Sequence, residues 1–437
     1  MHKIFIYCFL HTVGAYSGGV RMSKYIVEGG RRLVGEVNVI GAKNSVLPIL
    51  AATVINNNTS TIFNTPNLRD VGIMEQILLS IGCKVNRFDN VIFVDSRNIS
   101  TIKIPEDLVR EMRSSIILMG AMLTRCGEVI VSYPGGCEIG PRPIDLHLKA
   151  LRQLGATIDE SHGFLHCKAE KLKGCDIQLD FPSVGATENI MLAAVKAEGT
   201  TIIRNAAREP EIVDLQNFLN GMGARIHGAG TSVIRIDGVD SFTSVEHTII
   251  PDRIVAGTYM VASAITGGEI VLKNIEVEHL QSIIAKLKET GCMIYNNCTT
   301  LKIIGPKRVN AIETLQTLPY PGFPTDMQAQ MIALLSIANG TSIVTETIFE
   351  NRFKHVEELI RMGANIKIAG NVAIVKGVKE LTGAKVTSKD LRGGAALVLA
   401  ALAAKGTSII EDTFHIERGY DSLEKVLASL NADIKKI

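Results

Sequence analysis

A short pattern of apolar and polar positions recurs six times along the chain. In each copy a leucine stands four residues before a glycine or an asparagine, and a β-branched residue follows three positions later, as in LLSIGCKV and LRQLGATI. The six turn positions are Gly82, Gly155, Gly223, Gly291, Gly363 and Asn431. Glycine and asparagine tolerate the left-handed conformation that ends a helix. Each copy therefore predicts an amphipathic helix that turns into a strand.

A second helix, almost wholly apolar, precedes the amphipathic one in each unit, as in NIMLAAVKAEGTTII and LVLAALAAKGTSII. A helix that is apolar on every side must be buried on every side. Each unit thus predicts one interior helix, one outer helix and several short strands. The turn positions are 73, 68, 68, 72 and 68 residues apart, so the chain consists of six units of about 70 residues.

The six units predict an α/β fold with two domains of three units each. A chain of 437 residues is too long for one ordinary core. The change between domains falls near PDRIVAGT at residue 251, and the opening strand LVGEV resembles LTGAKV near the carboxy terminus. We therefore predict one domain at 43–250 and a second formed by 22–42 with 251–437.

The first 21 residues do not fit this pattern. Their apolar run, residues 4–10, is shorter than a membrane span, and no clear small-x-small cleavage site follows it. Met22 opens a clean start, MSKYIVEGG. We predict that residues 1–21 are a non-native or unstructured extension, and that no other segment spans a membrane.

Charge and cysteine content narrow the class of partner. The chain has 46 lysine and arginine residues against 44 acidic ones, a formal charge of +2, so no global field attracts nucleic acid or an acidic membrane. Any anion site must be local. None of the eight cysteines forms a C-x-x-C pair, and none has a histidine at metal-ligand spacing. We predict a reduced, cytoplasmic protein without a metal site.

Polar clusters precede the interior helices, where free backbone N–H groups and the positive end of the helix dipole attract anions. They are GAKN at 41–44, MRSS at Arg113, SVGAT at Ser183, PDR at Asp252, PTDMQ at Asp326 and KDLR at Asp390. By position alone, Ser183, Asp326 and Asp390 could be simple N-caps. Lys43 and Arg113 could be solvated helix starts, and His147 a packed histidine.

Cys137 gives a sharper signal, in the stretch SYPGGCEIGPRPIDLHL. Its flanking glycines remove side chains that would bury it, and Arg142 nearby would favour the thiolate. Such a thiol suits nucleophilic or acid–base chemistry. A harmless loop thiol is the alternative from the residues alone.

Six longer stretches follow one another between residues 23 and 437: GAKNSVLPILAAT, PGGCEIGPRPIDLHL, NAAREPEIVDL, FPTDMQAQ, TETIFENRF and HIERGYDSLEKV. Together, and in this order, they resemble the UDP-N-acetylglucosamine 1-carboxyvinyltransferases, a family of enolpyruvyl transferases. The resemblance implies two inside-out α/β domains that close on substrate, with the active site in the cleft between them. It also implies the first committed step of peptidoglycan synthesis, in which phosphoenolpyruvate and UDP-N-acetylglucosamine give enolpyruvyl-UDP-N-acetylglucosamine and phosphate through a tetrahedral ketal.

The resemblance also implies roles for the reacting residues. Cys137 would be the proton donor to C3 of phosphoenolpyruvate, able to form a covalent adduct and to be alkylated by fosfomycin. Asp326 would take the sugar's hydroxyl proton or position the sugar. The remaining residues would hold phosphoenolpyruvate: Lys43, Asn44, Arg142, Arg392 and Arg418, with Lys43 and Arg418 also counted as catalytic.

For the sugar nucleotide, the resemblance implies the set Arg113, Arg142, Pro143, Ile144, Asp145, Leu146, Ser183, Val184, Gly185, Asp326 and Ile348. Part of the family carries a lysine shortly before the serine, where this chain has Phe181 and Pro182. One diphosphate contact therefore differs. The implied partners are these two small-molecule substrates alone, with no cofactor, and the expected state is a monomer.

Two rival functions stay open. The first is 3-phosphoshikimate 1-carboxyvinyltransferase, which shares the fold and the donor but lacks the PGGC loop. The second is a catalytically silent paralogue that binds UDP-sugars without turnover. The joint presence of Cys137, Asp326 and Lys43 argues against lost catalysis.

Overall fold

The computed structural model describes residues 23–135 and 144–437. Its α-helices are α1 Lys43–Ala52, α2 Arg69–Ser80, α3 Glu106–Glu111, α4 Leu118–Cys126, α5 Asp145–Gln153, α6 Val184–Ala194, α7 Pro210–Gly221, α8 Arg253–Ile265, α9 Gln281–Glu289, α10 Gln328–Leu335, α11 Val356–Arg361, α12 Leu391–Ala403 and α13 Leu423–Ser429. Short 3₁₀ helices lie at Arg113–Ile117, Val277–Leu280, Thr325–Met327 and Thr413–Arg418.

Each strand is only three to five residues long. They are β1 Tyr25–Glu28, β2 Val34–Asn38, β3 Thr59–Phe63, β4 Lys84–Phe88, β5 Val91–Asp95, β6 Glu128–Ser132, β7 Thr157–Ser161, β8 Phe164–Lys168, β9 Asp176–Gln178, β10 Thr200–Arg204, β11 Arg225–His227, β12 Val233–Asp237, β13 Val245–Thr248, β14 Glu269–Lys273, β15 Met293–Asn296, β16 Thr300–Ile304, β17 Thr314–Gln316, β18 Thr341–Thr345, β19 Asn365–Ala369, β20 Val372–Lys376, β21 Lys385–Thr387, β22 Thr407–Glu411 and β23 Asp433–Lys436. Helices and sheets therefore mix along the whole described chain, which confirms the predicted α/β class.

The interior and outer helices follow the predicted division. In α12 every residue from Leu391 to Leu402 is buried, and in α6 every residue from Ala186 to Ala194 is buried. The outer helix α5 buries one face, which includes His147 and Leu151. The apolar stretches form interior helices because no face of them can be left in water.

The six turn positions adopt the conformation that the sequence predicts. Gly82, Gly155, Gly223, Gly291 and Gly363 have φ between 92° and 109°, and Asn431 has φ of 80°. Glycine meets little steric penalty there, and asparagine tolerates the region better than most residues do. This prediction is confirmed at all six positions.

Five of the six sheets in the described residues have four strands and one topology, which the fourth unit illustrates, whereas the sheet β6-β8-β7 has three antiparallel strands. In its sheet β2 pairs parallel with β14, and the order then continues antiparallel through β16 to β15. The amino-terminal segment is distributed over two units, since β1 inserts between β22 and β23 while β2 joins β14. In the first core, β13 pairs in parallel with β3 and so extends the sheet of the first unit.

Buried hydrophobic residues of the described chain form two separate cores. One core runs from Ala42 to Ile249, and the other combines residues 25–39 with residues 254–434. We propose that each core is one domain, with the boundaries predicted from the repeats. The two connections between the cores lie side by side: Ala42 N donates to Ile250 O at 2.8 Å, and Asp252 N donates to Ile40 O at 2.9 Å.

No helix among residues 23–135 and 144–437 is both long enough and apolar enough to cross a membrane.

Candidate active site

The paired connections place the amino termini of α1 and α8 beside each other. Asp252 caps α8, because its Oδ1 accepts hydrogen bonds from Ile254 N at 2.8 Å and from Val255 N at 3.0 Å. Its other oxygen, Oδ2, accepts from Lys43 N at 3.1 Å. One carboxylate therefore fixes the start of a helix from each core, and it sets the position of Lys43.

Lys43 and Arg418 meet at one carboxylate, that of Asp70 on α2. Lys43 Nζ lies 2.8 Å from Asp70 Oδ2, and Arg418 Nε lies 2.8 Å from Oδ1. Burial alone would raise the pKa of Asp70, but the two cations outweigh burial and hold it below the usual range. Lys43 is buried, so the alternative interpretation of a solvated helix start is wrong.

Asp326 lies between two arginines. Arg352 Nη2 donates to its Oδ1 at 2.6 Å, and Arg392 donates to its Oδ2 from Nε at 3.1 Å and from Nη2 at 2.9 Å. Burial would raise the pKa of Asp326, but the two guanidinium groups hold it well below the usual range. Asp326 begins no helix as an N-cap, since both oxygens face arginines and its 3₁₀ turn has no side-chain cap. That alternative is wrong for Asp326.

The two ion-pair clusters are neighbours. A Cβ added at Gly419, the residue after Arg418, would lie 3.3 Å from Arg392 Nη1. Arg392 and Arg352 each keep a buried Nη1 that has no hydrogen-bond partner among the described residues. A buried N–H without a partner is costly, and an anion between these groups would satisfy it. The geometry thus suits a small anion with several charges.

Other predicted residues near this anion site have simpler surroundings. Asp390 is an N-cap, since its Oδ1 accepts from Arg392 N at 2.9 Å and from Gly393 N at 2.8 Å. This cap fixes the start of α12, which carries Arg392. Asn44 is half-buried at the second position of α1, directly after Lys43.

Ile348 lies in a loop that the buried Glu346 organises. Glu346 Oε1 accepts from Ile348 N at 2.8 Å, and its Oε2 accepts from Thr325 Oγ1 at 2.8 Å. Since Thr325 directly precedes Asp326, the same carboxylate brings the Ile348 loop beside Asp326. Ile348 itself is half-buried.

The described residues predicted to contact the sugar nucleotide form a second group in the first core. Ser183 caps α6, with its Oγ accepting from Ala186 N at 3.3 Å, so the N-cap interpretation is confirmed there. Val184 and Gly185 form the first turn of α6. A Cβ at Gly185 would lie 3.1 Å from His147 of α5, so the starts of α5 and α6 are in contact.

The remaining members of this group occupy the start of α5 and a nearby turn. Ile144 is buried and precedes α5, Asp145 is its exposed first residue, and Leu146 is half-buried. Arg113 begins the 3₁₀ turn before α4, and its charge acts on His147. The structure therefore brings Arg113 and the starts of α5 and α6 to one place.

Three predicted residues lie outside the described ranges: Cys137, Arg142 and Pro143. Among the described cysteines, Cys83, Cys167 and Cys292 are buried, and burial raises the pKa of the Cys83 and Cys167 thiols to about 12. These two thiols are held protonated and are poor nucleophiles.

Sequence reasoning missed two residues of the ion-pair clusters, Asp70 and Arg352. Arg352 stands inside TETIFENRF, one of the stretches that carried the resemblance, so the motif itself was the available signal. Asp70 stands in NLRDV, which resembled nothing, and its role depends on a partner far away in sequence.

A cavity of about 440 Å³ lies away from these clusters, beside the carboxy-terminal end of α8, with Arg32, Lys307 and Lys379 among its lining residues. Helix carboxy termini favour nearby cations, so these basic side chains need no ligand to account for them. Within residues 23–135 and 144–437, no group of three or more His, Cys, Asp or Glu side chains is placed to hold a metal ion.

Comparison with known proteins gives a consistent picture. Residues 27–427 match the family model of EPSP synthase (3-phosphoshikimate 1-carboxyvinyltransferase). UDP-N-acetylglucosamine 1-carboxyvinyltransferase 2 of Caldanaerobacter subterraneus is 58% identical over 95% of this chain and 100% of its own. UDP-N-acetylglucosamine 1-carboxyvinyltransferase of Geobacter metallireducens is 50% identical, with the same coverage of 95% and 100%.

Two solved structures share the fold. The enolpyruvyl transferase NikO from Streptomyces tendae superposes with a TM-score of 0.87 at 24% identity, over 95% of this chain and 99% of its own. EPSP synthase from Acinetobacter baumannii gives 0.74 at 18% identity, over 95% and 100%. The chain therefore belongs to the EPSP synthase family of enolpyruvyl transferases and, within that family, to the UDP-N-acetylglucosamine 1-carboxyvinyltransferases.

Proposed function

We propose that this protein transfers the enolpyruvyl group of phosphoenolpyruvate to the 3-hydroxyl of UDP-N-acetylglucosamine and releases phosphate, the first committed step of peptidoglycan synthesis. The observation that carries the proposal is identity of 50–58% over nearly the whole chain to proteins of that name. The rival 3-phosphoshikimate 1-carboxyvinyltransferase has weaker support, since the EPSP synthase from Acinetobacter baumannii is only 18% identical.

The reaction is an addition to phosphoenolpyruvate followed by the elimination of phosphate. The sugar oxygen bonds to C2 of phosphoenolpyruvate as its proton leaves, and C3 gains a proton, which gives a tetrahedral ketal. C3 then loses a proton, the double bond re-forms, and the C2–O bond to phosphate breaks. The site must supply an acid, a proton acceptor and an anion clamp.

Lys43, Arg392 and Arg418 are the proposed clamp for phosphoenolpyruvate, with Arg142 as a further member and Asn44 at the reacting centre. The first three are buried or nearly so and are adjacent, and they come from both cores. Charge-assisted hydrogen bonds from such groups bind a small anion and stabilise the departing phosphate. Partial exclusion of water strengthens each of these contacts.

Asp326 is the proposed partner of the sugar hydroxyl, acting chiefly by position. Two arginines hold its carboxylate ionised, so it is a weak base in the ground state. A fixed carboxylate can still orient a hydroxyl and accept a proton as the new C–O bond forms. Cys137 is the proposed proton donor to C3, on the strength of the PGGC motif.

The proposed sugar-nucleotide contacts start from the amino terminus of α6. The backbone N–H groups of Val184 and Gly185 have no intrahelical acceptor and favour a diphosphate. Arg113, Arg142, Pro143, Ile144, Asp145, Leu146, Ser183 and Ile348 complete the proposed set.

Phosphate release from phosphoenolpyruvate tests the proposal, with UDP-N-acetylglucosamine or shikimate 3-phosphate as the sole acceptor. Release with the sugar nucleotide alone is expected. Release with shikimate 3-phosphate alone would establish the rival enzyme. Binding of the sugar nucleotide without release from either mixture would establish a silent UDP-sugar-binding protein.

The role of Cys137 has its own test. Excess fosfomycin should abolish phosphate release and add one inhibitor mass to the protein, at Cys137. Full activity after the same treatment would contradict the assigned thiol. The buried Cys83 serves as an internal control, since a raised pKa should leave it unmodified.

A further inference from the structure

His147 on α5 is a buried histidine whose two ring nitrogens have different surroundings. Only 8% of the residue is exposed. Its Nδ1 lies 3.0 Å from the side-chain Nδ2 of Asn189, on α6. Its Nε2 has no hydrogen-bond partner among the described residues. The ring is thus anchored on one side and open on the other.

Asn189 determines which nitrogen of His147 carries the proton. Asn189 Oδ1 accepts from Gly120 N at 2.6 Å, and Asn189 Nδ2 donates to Ile116 O at 3.0 Å. If the amide oxygen and nitrogen of Asn189 were exchanged, its NH₂ group would face the N–H of Gly120 and its oxygen would face the carbonyl oxygen of Ile116. Neither contact could be a hydrogen bond, so the amide has one orientation. Its Nδ2 can only donate, and His147 Nδ1 must accept. The proton of the neutral ring therefore sits on Nε2.

The ring remains neutral near neutral pH. Burial, together with the charge of Arg113, lowers the pKa of His147 to about 4, although Asp145 opposes the shift. A neutral ring in this tautomer offers one N–H donor at Nε2.

The Nε2 donor lies beside the first turn of α6. A Cβ at Gly185 would lie 3.3 Å from Nε2. The backbone N–H groups of Val184 and Gly185 make no hydrogen bond with the described residues, whereas Ala186 N already donates to Ser183 Oγ. The N–H groups of His147 Nε2, Val184 and Gly185 therefore lie close together and can donate to one acceptor group.

We propose that His147 is a substrate-binding residue whose Nε2–H donates to a diphosphate oxygen of the sugar nucleotide, beside the N–H groups of Val184 and Gly185. Asn189 is then a positioning residue that enforces the donor tautomer. This inference rests on the proposed function. An uncharged donor discriminates between acceptor and donor groups of the ligand without adding a buried charge.

Two amide variants separate binding from structure. In His147→Asn the amide oxygen can take the place of Nδ1 and keep the bond from Asn189, but nothing reaches the position of Nε2. In His147→Gln the longer amide can place an N–H near the position of Nε2, while the Asn189 bond is lost. A binding role predicts that Gln rescues, and a merely structural role predicts that Asn rescues.

The measurement is the Kd of UDP-N-acetylglucosamine by titration calorimetry, with thermal melting to verify folding. His147→Asn should weaken binding by about 10- to 100-fold, the usual range for a hydrogen bond to a charged group. His147→Gln should remain within about threefold of wild type. Wild-type affinity in His147→Asn would overturn the inference while leaving the proposed function intact. Absence of binding by the folded wild type would overturn the proposed function itself.

A second comparison identifies the acceptor on the ligand. UDP and uridine are titrated against wild type and His147→Asn by ligand-observed NMR. The loss should appear with UDP and not with uridine. An equal loss with uridine would assign Nε2 to the nucleoside and overturn the diphosphate contact.

Discussion

Asp70 and Arg418 form a two-point ion pair between the two cores, 348 residues apart in sequence. Arg418 Nε lies 2.8 Å from Oδ1 and its Nη2 lies 3.2 Å from Oδ2, while Lys43 Nζ shares Oδ2 at 2.8 Å. The proposed phosphoenolpyruvate clamp is therefore assembled around an anion that belongs to the protein. Asp70 holds two cations of the proposed clamp in place.

The first prediction is that Asp70→Asn lowers kcat by at least about tenfold and raises the KM for phosphoenolpyruvate little. Removing the charge frees two buried cations from their common partner, and misplacement by about 1 Å can cost 10²-fold in rate. Their added positive charge still attracts the substrate. Steady-state phosphate release with varied phosphoenolpyruvate measures both quantities.

The matched control for Asp70→Asn is Asp433→Asn, which removes the acidic partner of an exposed pair with Arg31. Exposed pairs contribute little, so this variant should keep wild-type kinetics. An Asp70→Asn protein with unchanged kcat would show that the clamp does not need its central carboxylate.

The second prediction concerns Arg352, which holds Asp326 from the side opposite Arg392. Arg352→Gln should reduce kcat/KM for UDP-N-acetylglucosamine by about 10²-fold, because Asp326 loses one of two partners and its position with it. The control is Arg361→Gln, nine residues further along, whose side chain is largely exposed and lies 3.7 Å from Glu358. Equal activity in both variants would remove Arg352 from the site.

Local features were readable from sequence, and long-range ones were not. The turn at Gly82 and the buried helix α12 follow from propensity and periodicity within one unit. The cap at Asp390 follows from its place before an apolar helix. Asp326 has the same place in its unit but a different role, because two arginines from distant segments approach it. No periodicity within one sequence records that approach.

For the same reason, the pattern of charged residues in the sequence could not show that Lys43 is buried in an ion pair. Lys43 reads as an ordinary polar residue at a helix start, yet it is buried against Asp70. Burial of the pair requires Arg418 from the other core, and that proximity arises only when the two connections between the cores pair. The resemblance supplied Lys43 and Arg418 as site residues, but it did not supply the carboxylate that joins them.

The third prediction tests the ionisation of Asp326. Its folded pKa lies below its unfolded value, so the carboxylate is charged in both states above about pH 5. The difference in thermal midpoint between wild type and Asp326→Asn should therefore be the same at pH 7.5 and at pH 5. Only below about pH 4, where the unfolded carboxyl binds a proton and the folded one does not, should the wild type lose this advantage. A difference that already shrinks between pH 7.5 and pH 5 would mean that the site carboxylate titrates there.

The last prediction concerns His355, which is buried near Arg352 and Asp390. Burial lowers its pKa to about 4, with Arg352 adding to the shift and Asp390 opposing it. Unfolding exposes a histidine with a pKa of about 6.5. Between these values the unfolded chain binds more protons than the folded protein, so stability falls as the pH drops through this window. At pH 5 the loss in the free energy of unfolding from this one residue is about 2 kcal/mol relative to pH 7.5.

In His355→Leu that contribution is absent, and the variant should lose about 2 kcal/mol less than wild type between pH 7.5 and pH 5 in urea unfolding. The matched control is His227→Leu, which makes the same substitution at an exposed position. The same pH dependence in His355→Leu and wild type would show that His355 takes up its proton in the folded protein.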